Sequence, residues 1–275
     1  MKNRINIFFD KKNKEKLTLL TAYDYPTAQF LDEASIDAIL VGDSLGNVFQ
    51  GNDTTLPVTI DEMVYHTRIV RRGAPNTFLI GDMPFLSYHV SVEEALWNAG
   101  RLIKESGAEA VKVEGGVEIL DKVKALIAAK IPVMGHLGLT PQSVNLFGGF
   151  KVQGKSLENA KRILKDALLL EEAGVFAIVL EGIPEKLAKV ITERLKISTI
   201  GIGAGRYVDG QVLVINDVFG NYKGLEPKFA KKFCNVGEEM KKGIDAYINE
   251  VKNGSFPEEK HTYKIDQEII DNLDK

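Results

Sequence analysis

Residues 110–116 read Ala-Val-Lys-Val-Glu-Gly-Gly, a run in which apolar and charged residues alternate. Because successive side chains of a β-strand point to opposite faces, Val111 and Val113 share one face, and Lys112 and Glu114 share the other. The valines suit packing against covering helices, so the charged pair is expected to point into the interior of a closed sheet. A buried charge must be paired or bound to a ligand. This stretch therefore predicts a strand that carries two charges into a barrel, either as a simple buried ion pair or as part of a site.

Seven further apolar runs, on either side of this one, also have the length and composition of strands. The eight runs are Leu17–Ala22, Ala38–Val41, Thr77–Ile80, Ala110–Glu114, Ile131–Met134, Phe176–Glu181, Ser198–Ile202 and Gln211–Ile215. Longer amphipathic segments between them predict helices: Thr59–Arg72, Ser91–Glu105, Val117–Ala129, Ser156–Glu172 and Pro184–Leu195. Alternating strands and helices indicate parallel pairing, since each connection must return over the sheet.

The expected fold class is therefore α/β, a (β/α)8 TIM barrel. We predict that residues 1–275 form a single domain, with a short N-terminal extension and a C-terminal helical tail; this length is normal for such a barrel. An open, doubly wound sheet is the rival arrangement. The segment Gly203–Gly210 is too short for a full helix, so one outer helix is expected to be missing.

Local signals mark several helix ends. Ser91 stands three residues before Glu94, which is the spacing of a capping box. Glycines stand where C-caps are expected at three positions, Gly73, Gly107 and Gly174.

Four other features carry structural expectations. Residues Gly138–Lys155 are rich in glycine and lack a helical period, which predicts a long loop over the active-site face. The tail Phe229–Lys252 is amphipathic and helical, and it either completes the barrel or reaches a neighbouring subunit. We expect Trp97 on the buried face of a helix and Cys234 at an inert packing position.

Composition excludes several classes of protein. The formal net charge is −3, with acidic and basic residues mixed along the chain, so nothing indicates a nucleic-acid or membrane-surface partner. A single cysteine excludes an intramolecular disulfide and fits a reducing cytoplasm. Residues Met1–Lys16 are polar and lysine-rich, so neither a signal peptide nor an anchor is expected. The glycines of Gly201–Gly205 do not form a dinucleotide-binding pattern.

Ionisable residues recur at the C-terminal ends of the predicted strands. They are Asp43, Asp82, Lys112, Glu114, His136 and Glu181. In barrels of this kind, the C-terminal ends of the strands carry catalysis. Four carboxylates against one lysine leave a net charge of −3 when the histidine is neutral, which a desolvated pocket does not hold unaided. We therefore expect a divalent metal ion and at least one carboxylate of raised pKa. Hard oxygen ligands favour Mg²⁺ or Mn²⁺, whereas ligation by His136 would favour Zn²⁺ or Co²⁺.

A series of motifs, all in order along the chain, resembles the ketopantoate hydroxymethyltransferase family. The motifs are Thr21–Tyr25, Val41–Asn47, Thr54–Thr59, Gly81–Phe85, Val111–Gly116, Gly135–Gln142, Leu180–Gly182, Gly201–Gly205 and Asp209–Val214. The resemblance runs from about Thr21 to Gly220. It fails at Arg206-Tyr207-Val208, where the family has small residues and a cysteine, and this difference could alter the rim of a folate site. The N-terminal segment is also unlike the family's usual helix.

The resemblance implies a barrel of the phosphoenolpyruvate/pyruvate type. It implies transfer of a hydroxymethyl group from 5,10-methylenetetrahydrofolate to 3-methyl-2-oxobutanoate, giving 2-dehydropantoate for pantothenate and coenzyme A biosynthesis. It further implies Mg²⁺, a metal-stabilised enolate and a homo-oligomer, commonly a decamer.

The resemblance also implies a role for each site residue. Asp43 and Asp82 would hold the metal, and Glu114 would reach it directly or through water. The residues implied to bind substrate are Asp43, Ser44, Asp82, Lys112 and His136. Glu181 is the implied catalytic base. Two other functions stay open: a metal-dependent C–C lyase or aldolase of the same superfamily, and a non-catalytic barrel that acts as an assembly protein.

Overall fold

Eight parallel strands form a closed barrel in the computed structural model, which describes residues 4–224 and 226–273. The strands are β1 (Leu17–Thr21), β2 (Ala38–Val41), β3 (Phe78–Asp82), β4 (Ala110–Glu114), β5 (Val133–Gly138), β6 (Ala177–Glu181), β7 (Ser198–Ile202) and β8 (Gly210–Leu213). Each strand pairs with the next, and β8 pairs with β1. The predicted (β/α)8 barrel is thus confirmed, and the open-sheet alternative is wrong.

Helices connect the strands on the outside of the barrel. The α-helices are α1 (Ile7–Asp10), α2 (Tyr25–Glu33), α3 (Leu45–Val48), α4 (Ile60–Gly73), α5 (Val92–Ser106), α6 (Leu120–Ala128), α7 (Val144–Phe147), α8 (Leu157–Ala173), α9 (Glu185–Arg194), α10 (Ile215–Phe219), α11 (Val236–Asn253) and α12 (Gln267–Asp271). Three 3₁₀ turns lie at Val117–Ile119, Pro141–Ser143 and Glu259–His261. No helix separates β7 from β8, as the short connection predicted.

The sequence patterns missed α2, the helix between β1 and β2. Its local signals are nevertheless strong, because Asp24 accepts a hydrogen bond from the backbone N–H of Thr27 and Pro26 stands in the first turn. Only Ala28 and Leu31 are buried, so its apolar stripe is too narrow to stand out as a period.

Two strands continue further than their apolar runs. The runs end at Ile80 and Met134, but β3 continues to Asp82 and β5 to Gly138, so Asp82 and His136 lie within strands. Polar residues belong to these strands because they face the barrel interior at its C-terminal end. At the other extreme, β8 stops at Leu213, two residues before its predicted end.

Side chains on the two faces of each strand contribute to two separate hydrophobic clusters. Residues facing inward form a small cluster inside the barrel that includes Leu19, Leu40, Ile80, Met134 and Val179. Residues facing outward join the helices in a much larger core, and Val111 and Val113 belong to it as predicted. The opposite parity of β4 carries Lys112 and Glu114 into the interior, where both are buried.

Helix ends follow the predicted signals at two of the three glycines. Gly107 and Gly174 cap α5 and α8 in the left-handed conformation, with φ of 78° and 100°. The prediction for Gly73 was wrong, because this residue is the last of α4. A Cβ there would lie 2.5 Å from the carbonyl oxygen of Tyr25, so glycine allows α2 and α4 to approach closely. The hydroxyl of Ser91 caps α5 by accepting from the N–H of Glu94, whereas a complete capping box occurs at Thr59 and Glu62 of α4.

Three other expectations need correction. The loop after β5 is not featureless, because residues 138–155 contain a 3₁₀ turn and α7. Trp97 lies on α5 but is 73 % exposed, since the buried stripe of that helix runs through Ala95, Ala99 and Leu102. Cys234 is exposed and precedes α11, so it does not pack within a helix.

The predicted C-terminal tail forms α11, and α12 follows it along the chain; neither helix buries a residue. The tail therefore does not complete the barrel of its own chain, and a single domain extending to residue 275 stays a prediction. Among the described residues, no helix combines the length and apolar character that a membrane span requires.

The N-terminal segment closes the end of the barrel where the strands begin. Phe8 of α1 is fully buried, and its ring centroid lies 5.8 Å from that of Phe78 and 5.0 Å from that of Phe176. Lys12 follows it into the barrel wall and pairs with Asp209 at 2.7 Å. These contacts seal one end of the barrel and leave the other end for the polar residues.

Replacing Phe8 tests this seal. We expect Phe8→Ala to lower the free energy of unfolding by about 3–5 kcal/mol, because a buried ring is lost and a cavity remains. The neighbouring Phe9 is half exposed, so Phe9→Ala should change stability by less than about 0.5 kcal/mol. Urea denaturation measures both variants, and equal losses would show that α1 does not seal the barrel.

Candidate active site

All seven residues predicted for the site lie at the C-terminal end of the barrel. Asp82, Lys112, Glu114, His136 and Glu181 occupy inward positions on four consecutive strands, from β3 to β6. The register places Asp82 beside Lys112 and Glu114 beside His136. Asp43 and Ser44 follow β2 after one intervening residue, Gly42. Strand pairing therefore brings together residues that are more than a hundred positions apart in the sequence.

Three carboxylates form a compact group in this site. Asp43, Asp82 and Glu114 each offer an oxygen within 4.8 Å of the others, and all three side chains are buried. The backbone N–H of Asp43 donates to Asp82 Oδ2 at 3.2 Å, which holds the first two side by side. Asp82 Oδ1 is buried and has no hydrogen bond within the described part of the chain. A group of three buried carboxylates offers the hard oxygen ligands that a divalent cation prefers.

Lys112 supplies the main positive charge next to these carboxylates. Its Nζ lies 2.8 Å from Asp82 Oδ1, outside hydrogen-bonding geometry, and 3.2 Å from Glu114 Oε1. Burial by itself would lower the pKa of Lys112. The negative charges of Asp82 and Glu114 outweigh this effect and raise the pKa above its ordinary value. The ion pair anticipated as the simpler interpretation of strand β4 is present, and it forms one side of the carboxylate group.

His136 lies between two carboxylates. Its Nδ1 is 3.0 Å from Glu114 Oε1, and its Nε2 is 3.2 Å from Glu181 Oε2, although the second contact is off the direction of a hydrogen bond. Burial would lower the pKa of His136, but Glu114 outweighs it and raises that pKa to about 9. Both ring nitrogens thus face carboxylates, and His136 lies outside the group of three that fits a cation.

Glu181 ends β6 and is the most open carboxylate of the site, with 14 % of its side chain exposed. The strand beside it carries Gly138 at φ 102°, and a Cβ at Gly138 would lie 2.2 Å from the carbonyl oxygen of Glu181. Glycine therefore allows the ends of β5 and β6 to run close together, which holds Glu181 at the edge of the cavity.

Sequence patterns did not find Tyr23, which contacts the site from the loop after β1. Its hydroxyl and the hydroxyl of Ser44 share a hydrogen bond of 2.8 Å. The imidazole Nδ1 of His66 lies 2.7 Å from the carbonyl oxygen of Tyr23 and fixes the backbone there. Tyr23 lies inside a quoted motif, but nothing in its spacing showed that its hydroxyl meets Ser44.

Gln142 and Tyr88 were also missed as site residues. Both are buried in loops that fold over the strand ends, after β5 and β3 respectively. Tyr88 Oη lies 2.9 Å from both the carbonyl oxygen of Glu114 and Gln142 Oε1, and these two acceptors share its single hydrogen. Contacts of this kind join loops distant in sequence, so no local periodicity announces them.

The net charge of the site differs from the value of −3 expected from the sequence, because several of its groups have shifted pKa values. Burial, together with Asp82 and Glu114, raises the pKa of Asp43 well above its usual range. Burial also raises the pKa of Asp82, whereas Lys112 and His136 overcome burial and lower the pKa of Glu114 to about 2. The expected carboxylate of raised pKa is therefore present.

The histidine also carries charge in this balance. With His136 protonated, four carboxylates face two cations, which leaves −2 rather than −3. One more proton, on Asp43, leaves −1. Protons thus neutralise part of the negative charge of the carboxylates. A metal cation would neutralise the same charge, so protons and the cation compete for the site.

The stretch that departs from the family pattern lies on the outer wall. Arg206 pairs with Glu185 at the start of α9, and Lys189 lies 5.3 Å above the ring of Tyr207 one turn further on. Val208 is buried and packs near Gly201. An effect of this stretch on the rim of a folate site stays a prediction.

Sequence comparison places the chain among well-defined relatives. The family model described as ketopantoate hydroxymethyltransferase matches residues 2–259. A protein of Clostridium beijerinckii named 3-methyl-2-oxobutanoate hydroxymethyltransferase is 57 % identical over 274 residues, covering 99 % of this chain and 100 % of the relative. A protein of Clostridium acetobutylicum with the same name is 55 % identical over 276 residues and covers both chains fully.

Comparison with solved structures supports the fold. A phosphonopyruvate hydrolase aligns with a TM-score of 0.61 at 13 % identity, covering 98 % of this chain and 94 % of that one. A 2,3-dimethylmalate lyase, described as a member of the phosphoenolpyruvate mutase/isocitrate lyase superfamily, aligns with a TM-score of 0.60 at 14 % identity, covering 95 % and 89 %. These likenesses show that the chain shares the barrel fold of both solved structures.

The raised pKa of Asp43 predicts how cation binding depends on pH. A cation at this carboxylate must displace its proton, and the charge on His136 opposes the cation further. Affinity for Mg²⁺ should therefore rise with pH as Asp43 loses its proton and, near pH 9, as His136 loses its own. Calorimetry in buffers of different ionisation enthalpy, at mildly acidic and mildly basic pH, should detect net proton release.

Variants of the carboxylates give the control. Asp43→Asn and Asp82→Asn should each weaken Mg²⁺ binding, and Asp43→Asn should also reduce the proton release. Unchanged affinity in both variants would contradict a cation site at this group.

Proposed function

The chain belongs to the ketopantoate hydroxymethyltransferase family, and on that premise we propose that it transfers a hydroxymethyl group from 5,10-methylenetetrahydrofolate to 3-methyl-2-oxobutanoate. The product is 2-dehydropantoate, in the biosynthesis of pantothenate and coenzyme A. The observation that carries the proposal is identity of 55–57 % along the whole length of relatives that bear this activity in their names. The buried carboxylate group at the catalytic end of the barrel supports it independently.

Asp43 and Asp82 are the proposed metal ligands, and Glu114 reaches the same ion directly or through water. Their oxygens suit Mg²⁺ best, with Mn²⁺, Co²⁺ and Zn²⁺ as competitors. When bound, the ion supplies a Lewis acid that polarises the keto group of the substrate. The three carboxylates lie close enough together to share one ion, and Lys112 restrains two of them.

The remaining polar residues would bind the keto acid. Asp43 and Asp82, the proposed metal ligands, would also contact the keto acid. The hydroxyl of Ser44 would donate a hydrogen bond to the substrate carboxylate. Tyr23 holds that hydroxyl in place. Lys112 and His136 carry positive charge beside the cavity and would donate to substrate oxygens that gain negative charge.

Glu181 is the proposed catalytic base. It is the most exposed carboxylate of the site, and it lies outside the group of three that would hold the ion. A protonated His136 beside it supports this choice, because a charged imidazole cannot itself accept a proton. Removal of the C3 proton would give an enolate that attacks the one-carbon unit, with one water molecule consumed over the full reaction.

The lyase and assembly alternatives have weaker support. A solved hydrolase and a solved lyase share the barrel at 13–14 % identity, which shows a common fold and gives no support for a common reaction. A non-catalytic barrel would have no need for a group of three buried carboxylates, since each is costly to desolvate.

We also propose a homo-oligomer, with a decamer as the expected size. The apolar face of α11 carries Met240, Ile244, Tyr247 and Val251, all at least 46 % exposed. Such a stripe on an amphipathic helix is typical of an interface. With a single cysteine and no pairing partner for it, cytoplasmic location is part of the same proposal.

The role of Glu181 predicts that proton removal is separable from one-carbon transfer. With Mg²⁺ and no folate, the protein should exchange the C3 hydrogen of 3-methyl-2-oxobutanoate with deuterium from solvent, visible by proton NMR. Glu181→Gln should slow this exchange by a factor on the order of 10²–10⁴ while still binding the keto acid. Glu185→Gln, at the exposed start of α9, serves as the control and should exchange normally. Exchange at the wild-type rate in Glu181→Gln would assign the base to another group.

The proposed interface predicts a large species in sedimentation velocity at micromolar concentration. Ile244→Asp should shift the protein to smaller species, because a charge enters the apolar face of α11. Asn249→Asp introduces the same side chain on another face of the helix and should leave assembly unchanged. A wild-type monomer would contradict the oligomer.

A further inference from the structure

Gln142 contacts two of the three carboxylates of the cation site from a loop, whereas Lys112 contacts two of them from a strand. It lies in the 3₁₀ turn Pro141–Ser143 after β5 and is 5 % exposed. Its side-chain Nε2 donates to Asp43 Oδ2 and to the carbonyl oxygen of Met83, both at 2.9 Å. Its backbone N–H donates to Glu114 Oε2 at 3.0 Å. One residue of a loop thus holds two of the three carboxylates, from two different strand ends.

The orientation of this amide is fixed by its neighbours. A carboxylate oxygen and a backbone carbonyl oxygen both accept hydrogen bonds, so the side chain must turn its NH₂ group toward Asp43 and Met83. The opposite side then presents Oε1 to the hydroxyl of Tyr88, which donates to it at 2.9 Å. Both amide hydrogens have acceptors, so the side chain has one satisfied arrangement.

These bonds decide which carboxylate oxygens are left for a cation. Gln142 engages Oδ2 of Asp43, and the backbone of Asp43 engages Oδ2 of Asp82. Oδ1 is therefore the oxygen of Asp43 that Gln142 leaves for a cation, whereas Oδ1 of Asp82 faces the ammonium of Lys112 at 2.8 Å. A carboxylate bound through one oxygen still rotates unless the other oxygen is held, and partners that hold ligands in this way tune metal affinity.

We infer that Gln142 is a positioning residue that sets the orientation of Asp43 and Glu114 for the cation, resting on the metal site of the proposed function. It would not touch the substrate or the ion. Gln142 belongs to the loop 138–155. The conformation of this loop and the orientation of Asp43 and Glu114 are therefore coupled through its hydrogen bonds. A cation that pulls on Asp43 therefore also holds this loop in place.

The test compares two glutamines of the same loop. Gln142→Met keeps the length and volume of the side chain but cannot hydrogen-bond, and it should weaken the binding of Mn²⁺ alone by about 10–100-fold. Gln153 is also buried in this loop, but its amide donates only to the carbonyl oxygen of Lys151 among the described residues. Gln153→Met should therefore leave Mn²⁺ affinity unchanged. Titration of free Mn²⁺ by electron paramagnetic resonance measures both, with urea midpoints recorded for each variant.

Two further variants separate positioning from folding. Gln142→Asn retains the amide on a shorter chain that does not reach Asp43, so it should also weaken binding. In an Asp43→Asn background, Gln142→Met should add little, because the residue it acts through has already been changed.

The outcomes are distinct. Equal Mn²⁺ affinity in wild type and Gln142→Met, a similar loss in Gln153→Met, or full additivity with Asp43→Asn would overturn the inference and leave the metal site standing. A wild-type protein that does not bind Mn²⁺ would overturn the metal site and the inference together.

Discussion

The structure depends on the burial of several carboxylates of like charge at one end of a barrel. Desolvation and mutual repulsion both oppose this arrangement, and the raised pKa of Asp43 shows their effect. Lys112 offsets part of the cost, since its ammonium lies within 3.2 Å of two of the carboxylates. Removing one partner from such a group typically costs about 3–5 kcal/mol, because an unpaired charge remains buried. Hydrogen bonds from the surrounding loops, such as those of Gln142 to Asp43 and Glu114, also compensate these buried charges.

The barrel tolerates this polar end because its other end is closed by apolar packing. Alternation along each strand allows the same eight segments to serve both purposes. On β4, Ala110 joins the apolar cluster, whereas Lys112 and Glu114, two and four residues further on, face the cavity. Stability and chemistry are thereby separated along the strands by only a few residues, and the outward-facing valines serve the outer core throughout.

Much of this organisation could be predicted from the sequence because it follows short periods. The alternation in β4 placed Lys112 and Glu114 inward, and the strand ends located Asp43, Asp82, His136 and Glu181. Residues in loops were harder to place. Gln142 and Tyr23 act through hydrogen bonds to strands far away in the chain, and no period encodes such contacts. Trp97 was misplaced for a related reason: an apolar residue on an amphipathic helix reveals its face only relative to the neighbouring elements. The charge on His136 depends on Glu114, which pairing of strands brings next to it.

The seal at the base of the barrel has a consequence for how the chain folds. Lys12 pairs with Asp209, 197 residues later, and β1 finds its second neighbour only in β8. During synthesis, the first strand therefore waits for almost the entire barrel to emerge from the ribosome before its open edge is covered. Contacts so distant in sequence slow the final closure, and a barrel that lacks its last strand exposes an unpaired edge and an unfilled interior for that period. The nascent chain is most vulnerable to aggregation just before β8 appears, and protection by a chaperone at that stage would matter more than at any earlier one.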